Sequence, residues 1–258
     1  MMGMDRGALE IVIGLEARKL ARATVTRVAT IAALTLVTVT TASGYAAAMH
    51  AGDTDMGRKA ASMVTSPGWS GYAGLGATSV SATILLAVGV VMSWSVGREF
   101  TDGTIVGLFA IPPALRSIAT AKMVVTLSWA VLLGAGEAAL LTMAGLMLGL
   151  GTAGAAGCFA TLLLVSVMLG AGILPVMWAA TRWRGYLAGI GLTLAILVVT
   201  NLAAGFGLGS YVPWSIPIVW ASHQTEVSTP LLATPVMTAA IGAWITYRSW
   251  DHLQLGAD

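Results

Sequence analysis

The sequence predicts an all-α polytopic membrane protein with six transmembrane helices, an N-terminal amphipathic interfacial helix and a broken external segment before the last helix. Three observations predict it: the scarcity of charge, six long apolar runs, and the uneven placement of Lys and Arg. The chain has 258 residues, is 57% hydrophobic and 9% charged, and has a mean hydropathy of +0.86. That is too little charge to cover a soluble globule of this size. The net charge of +2 is small and the basic residues flank apolar runs, which points to membrane orientation and away from nucleic acid.

The six apolar runs are 28–49, 73–96, 123–150, 155–180, 186–206 and 231–247, the last of them short. Crossing the hydrocarbon core takes about 20 apolar residues. In lipid the backbone must satisfy its own hydrogen bonds, and these runs lack the alternation of a barrel strand, so each is predicted to be a helix. The first run ends in the small-residue string YAAAMHA. Its length and the 27 residues ahead of it mark it as a retained span, not a cleaved signal.

With both termini inside, Arg6, Arg18, Lys19, Arg22, Arg27, Arg98, Arg116, Lys122, Arg182, Arg184 and Arg248 fall on the cytoplasmic side and only Arg58 and Lys59 fall outside. Short loops rich in Lys and Arg stay in the cytoplasm, and an even number of spans preserves that bias. Residues 1–27 are predicted as a cytoplasmic amphipathic helix in the membrane surface, ahead of a transmembrane domain over 28–258. Leu9, Val12, Ile13, Ala17 and Leu20 share one helical face, and Glu10, Gly14, Arg18 and Arg22 the opposite one. Ile11 interrupts the polar face and Glu16 the apolar one, where Glu16 can pair with Lys19.

The stretch 50–72, with Asp53, Asp55, Arg58, Lys59 and Pro67, reads as an external excursion without a catalytic signature. In 207–230, Tyr211, Pro213, Trp214, Pro217 and Trp220 interrupt a stretch too apolar for a free loop and too broken for a span. Aromatics at headgroup level and prolines that favour short helices predict a re-entrant or interfacial hairpin on the outer face, with simple aromatic anchoring as the other reading. The spacings of Gly145 with Gly149 and of Gly185 with Gly189 permit close helix approach, by default within one subunit.

No lysine follows a glycine and precedes Ser or Thr, so the chain has no phosphate-binding loop. His50, His223 and His252 are dispersed, no paired Cys/His spacing offers a zinc site, and the lone Cys158 excludes an internal disulfide. Glu137 is the one ionisable group deep in a span, roughly 22 Å along the helix from Lys122 at 1.5 Å per residue. A carboxylate there is expected to be protonated, paired or facing a wet cavity. Two readings remain open: a cavity-lining group for a polar or cationic part of a cargo, or a structural Glu within a tight contact at Gly134, Ala135 and Gly136.

The remaining charged island, 97–122, holds Arg98, Glu99, Asp102, Arg116 and Lys122 between two apolar runs and reads as a cytoplasmic docking loop. Its pattern of Gly97, Glu99, Gly103 and Thr104, then Pro112, Arg116 and Lys122, set between the second and third of six spans and preceded by a basic amphipathic helix, resembles the permease of a type-2 ABC exporter. The resemblance covers nearly the whole chain and implies several things at once. Gly97, Arg98, Glu99, Asp102, Gly103 and Thr104, within a coupling loop over 97–117, would couple to a separate ATPase. The segment matching 99–104 would belong to a short coupling helix, with Glu99 and Asp102 engaging basic groups of the ATPase and Gly103 turning the chain. Pro112 and Pro113 would stiffen the return, and Arg116 and Lys122 would hold the third span at headgroup level. Tyr211, Pro213, Trp214, Pro217 and Trp220 would form an external gate.

On that resemblance the chain is not an enzyme and binds no cofactor itself, ATP and Mg residing on the partner subunit. Its partners would be the ABC ATPase, a second permease copy or paralogue, membrane lipid, and a drug, antibiotic, peptide or lipid substrate exported across a bacterial-type plasma membrane. A proton-coupled secondary transporter using Glu137 and a non-transporting assembly factor are the competing classes.

Overall fold

The computed structural model describes residues 6–50, 55–64, 66–110, 112–222 and 227–254. Among them there is no strand, and six helical stretches are long and apolar enough to cross a membrane. Asp53 and His223 lie outside the described residues.

Helix α1 (Arg6–Arg22) leads through Ala23 into the first span, α2 (Thr24–Met49). A short helix α3 (Asp55–Met63) occupies the excursion before the second span, α4 (Gly68–Thr101). A turn and the one-turn helix α5 (Ile105–Leu108) precede the third span, α6 (Leu115–Met147). The fourth span is α7 (Ala155–Gly172) followed by α8 (Pro175–Arg182), and the fifth is α9 (Tyr186–Gly205). A 3-10 turn (Gly209–Tyr211), α10 (Ile216–Ser222) and a second 3-10 turn (Thr229–Leu232) lead into the last span, α11 (Ala233–Asp251).

Helix α4 is the axis of the bundle. Its most apolar window is 67% buried, against 22% for α2 and α11. A helix apolar on all sides is stable only when surrounded, and α4 packs against α2, α6, α7, α8, α9 and α10. Small residues permit this approach. A Cβ on Gly89 would stand 2.4 Å from Thr193 of α9, and one on Gly97 would stand 2.2 Å from the backbone nitrogen of Tyr186. Across the same seam, Gly189 of α9 faces Ser93.

Several boundaries differ from those expected. The second span runs well past 73–96 at both ends, because the helix continues through polar residues that hydropathy leaves out. The third begins at Leu115, so Lys122 lies two turns inside the helix and not at its start. The fourth is interrupted at Ile173–Leu174, where Pro175 opens α8. The last is longer than 231–247 and reaches Asp251. The glycine pairs do not act as pairs. Gly145 packs on Trp69 and Gly189 on Ser93, whereas Gly149 takes a left-handed turn at φ 85° and Gly185 meets nothing closer than 3.8 Å.

One end of the bundle gathers most of the basic residues, from α1, the ends of α4, α8 and α11, and the start of α6. Arg116 reaches Asp251 at 3.3 Å and Arg184 donates to the Gln254 carbonyl at 3.4 Å across it. Arg58 and Lys59 of α3 belong to the opposite end, where Trp69 donates to the Gly151 carbonyl at 3.1 Å.

Candidate functional site

At the basic end, a buried ion cluster joins three helices. The Lys122 ammonium of α6 donates to Glu16 Oε2 of α1, to Glu99 Oε1 of α4 and to the Ser95 carbonyl of α4, each at 2.9 Å. Those three bonds use all the donors an ammonium has. Glu16 Oε1 accepts from Lys19 at 2.8 Å, and Lys19 Nζ stands 3.9 Å from Glu99 Oε1. Glu99 Oε2 accepts from the Thr104 hydroxyl at 2.6 Å, which ties the turn after α4 into the cluster. Lys122 is 2% exposed and Glu99 5%. Two carboxylates and two ammonium groups balance, as burial in a poorly solvating site requires. A cavity of ≈ 20 Å³ beside the cluster, lined by Glu16, Ser95, Glu99 and Lys122 among others, has room for a single water.

Lys122 therefore does not anchor α6 at the headgroups, as its position beside an apolar run suggested; its charge is enclosed and neutralised by α1 and α4. Glu16, an interruption of α1's apolar face in the sequence, ties that helix to the bundle beside the apolar contacts of Val12 and Leu20. Val12 and Leu20 flank it on the buried side, while Ile11 and Leu15 remain exposed. The one signal in the sequence was an acidic residue on the apolar face of α1; Lys122, at the edge of the run 123–150, gave none.

The expected coupling residues divide into two sets. Gly97, Arg98 and Glu99 lie in the last turn of α4, with Gly97 against Tyr186 and Glu99 inside the cluster. Asp102, Gly103 and Thr104 form the exposed turn, Gly103 at φ 69°. Over 99–104 the chain is the end of α4, which continues as helix to Thr101, followed by the turn, and a separate one-turn helix lies at Ile105–Leu108. Arg98 lies over the Trp94 ring at 4.7 Å and 3.8 Å from Asp102. Beside the turn, Ile11, Leu15, Leu108, Pro112 and Pro113 border an apolar groove of ≈ 340 Å³ between α1 and the return strand of chain, with Val106 exposed nearby.

Among the residues expected at an external gate, Tyr211 is 83% exposed, whereas Pro217 and the rest of α10 except Trp220 are buried, mainly against α4 and α7. Pro213 and Trp220 are half-buried, and Trp214 donates to the Gly172 carbonyl at 2.8 Å. Ser222 of α10 stands against Gly74 of α4.

A cleft of ≈ 680 Å³ opens between α2, α4 and α9, walled by apolar and small residues with Thr40, Thr78, Ser79, Thr83 and Asn201. That volume lies within the range of pockets for drug-sized molecules. Glu137 does not line it. The residue is fully buried in α6, near the close contacts of Gly134 with Ser166 and Gly136 with Leu34. Among the described residues no group of His, Cys, Asp and Glu is placed to hold a metal.

A family model described as ABC-2 family transporter protein matches residues 12–200. The chain belongs to the ABC-2 transporter family. The match runs from within α1 to near the end of α9, so the ion cluster of this ABC-2 protein lies inside it, as does the cleft apart from Asn201. No curated protein and no solved structure matches the chain. Membership makes it a multi-pass membrane subunit of an ABC transporter, in agreement with its six apolar helices.

Proposed function

We propose that this chain is the permease of an ATP-driven exporter, working with a separate ATPase subunit and a second permease copy, and moving a hydrophobic or amphiphilic molecule out of the cell. The basic end faces the cytoplasm of a bacterial-type plasma membrane, with both termini there, as the placement of Lys and Arg favours. ATP and its Mg belong to the ATPase.

The observation that carries this reading is the ion cluster directly behind an exposed polar turn, in a chain of this family. A motor bound at Asp102–Thr104 and α5 pushes on an element whose root, Glu99, is joined to Lys122 and through it to Glu16. Force on the turn then reaches α1, α4 and α6 together without the turn deforming, because both its ends are pinned. Glu99 acts in this reading as an internal strut, while Asp102 and Val106 present the surface that the ATPase meets. The cleft is the substrate path. Two of its walls, α2 and α9, are among the least enclosed spans, which supports a second copy covering that face.

The test places single cysteines at Asp102 and Val106, isolates the tagged chain from its own membrane, and crosslinks. The expected result is a covalent product with a nucleotide-binding subunit whose hydrolysis drives efflux in vesicles. Crosslinks confined to lipid or to a second copy, with no ATPase recovered, would overturn the reading.

A further inference from the structure

Glu137 is a carboxylate that the bundle encloses and does not use. Both of its oxygens are shut off from solvent and have no hydrogen-bond partner. The nearby Ser166 hydroxyl donates to the Leu162 carbonyl at 2.8 Å, so it is spent. Thr83 of α4 lies beside the carboxyl group, but its hydroxyl has one proton, directed at the carbonyls of Ser79 at 3.1 Å and Val80 at 3.2 Å. An unused acidic group at this depth costs stability unless some state of the protein supplies its partner.

Thr83 also forms part of the wall of the cleft between α2, α4 and α9. Glu137 is thus one side chain behind that wall. The wall itself carries no charged residue, and small residues such as Ala32, Ala33 and Ala82 leave room for a bulky apolar body. Thr83 is only half-buried, so part of its side chain faces the open cleft.

We propose that Glu137 is the concealed counter-ion of the cleft and selects lipophilic cations, including protonated amines with an apolar body. The apolar part fills the cleft, the Thr83 side chain turns aside, and the carboxyl group, neutral while enclosed and unpaired, releases its proton to water through the opened wall and meets the positive group as a carboxylate. A neutral or anionic molecule of the same shape gains the apolar contacts and not the charge pairing. The inference rests on reading the cleft as the substrate path.

The experiment compares tetraphenylphosphonium with tetraphenylborate, two ions of one shape and opposite charge. Binding is measured by equilibrium dialysis on the full-length chain, with any copurifying ATPase, in nanodiscs, against protein-free nanodiscs of the same lipid. Wild type is expected to prefer the cation. Glu137→Gln should weaken cation binding about tenfold and leave the anion unchanged, since one charge-assisted contact is lost. Thr83→Ala removes the screen and should strengthen cation binding severalfold, a gain that misfolding cannot mimic, and Thr83→Ala with Glu137→Gln should abolish that gain. A gain that persists in the double variant, or cation binding by Glu137→Gln equal to wild type, overturns the counter-ion. Ala82→Trp, which fills the cleft, should exclude both ions. If both still bind, the cleft is not the path, and the substrate reading falls with the proposal. If only the Glu137 arm fails, the cleft stands.

Discussion

The indole N–H of Trp214 donates to the carbonyl oxygen of Gly172, an oxygen that the break between α7 and α8 leaves without its helical partner, since Val176 donates to Ile173 instead. In an uninterrupted helix the Gly172 carbonyl would accept from the amide of Val176. Pro175 has no amide hydrogen and its ring clashes with the preceding turn. The chain tightens there: Leu174 donates to Ala171 at 3.1 Å, Val176 to Ile173 at 3.0 Å and Met177 to Leu174 at 3.0 Å. A carbonyl stranded within a membrane span is expensive, and the broken segment between α9 and α11 supplies the donor. Trp214→Phe should therefore lower stability by about 1–3 kcal/mol, the range for an orphaned buried polar group. Combining it with Pro175→Ala, which lets Val176 take the carbonyl back, should cost less than the two singles summed. Melting followed by size-exclusion chromatography on the four proteins of the cycle checks this; strict additivity would refute it.

Removing Lys122 leaves two enclosed carboxylates facing each other. Lys122→Met should destabilise by about 3–5 kcal/mol, the range for breaking a buried ion pair from one side. The triple change Glu16→Gln, Glu99→Gln, Lys122→Met should recover much of that loss, since the one charge left without a partner, Lys19, is half exposed to solvent. Thermal melting of the single and triple variants in the same detergent is the measurement.

Asp102 and Glu99 should separate by what they disturb. Asp102→Ala alters an exposed turn and is expected to reduce transport per ATP hydrolysed while leaving the stability within about ±0.5 kcal/mol of wild type, as for most surface changes. Glu99→Ala removes a partner of Lys122 and of Thr104 and should lower both coupling and stability. Coupling ratios in vesicles, measured beside melting, distinguish them. An Asp102→Ala protein with normal coupling would shift the contact surface away from that turn.

Two glycines close in sequence should respond for different reasons. Gly97→Ala places a methyl 2.2 Å from the Tyr186 nitrogen, so α4 and α9 must separate. Overpacking of this kind costs about 1–3 kcal/mol, and it should also change the α4–α9 distance read by paired spin labels. Gly103→Ala meets open space but holds φ 69°, a left-handed conformation that costs roughly 1–2 kcal/mol with a side chain. Its spin-label distance should be unchanged.

The sequence by itself determined the class of the molecule. Apolar length sets the number of spans, because the bilayer demands a minimum run wherever the chain crosses, and the six runs correspond to the six observed spans. Basic residues marked one end, Gly103 marked a turn, and the aromatic and proline string over 211–220 marked broken structure, all through local chemistry. Tertiary structure decided what the charged residues do. Glu16, Glu99 and Lys122 are far apart in the chain, Glu16 reading as an intrusion on an apolar face and the other two as loop charges, and only the docking of α1 and α4 on α6 brings the lysine within 2.9 Å of both carboxylates. Likewise the sequence left Glu137 open between a cavity-lining and a structural group, and packing set it one layer behind Thr83. The reason is physical. Hydropathy and backbone preference act over a few residues and are written locally, whereas the partner of a buried charge is chosen by which helices meet and at what depth, a property of the packed bundle as a whole.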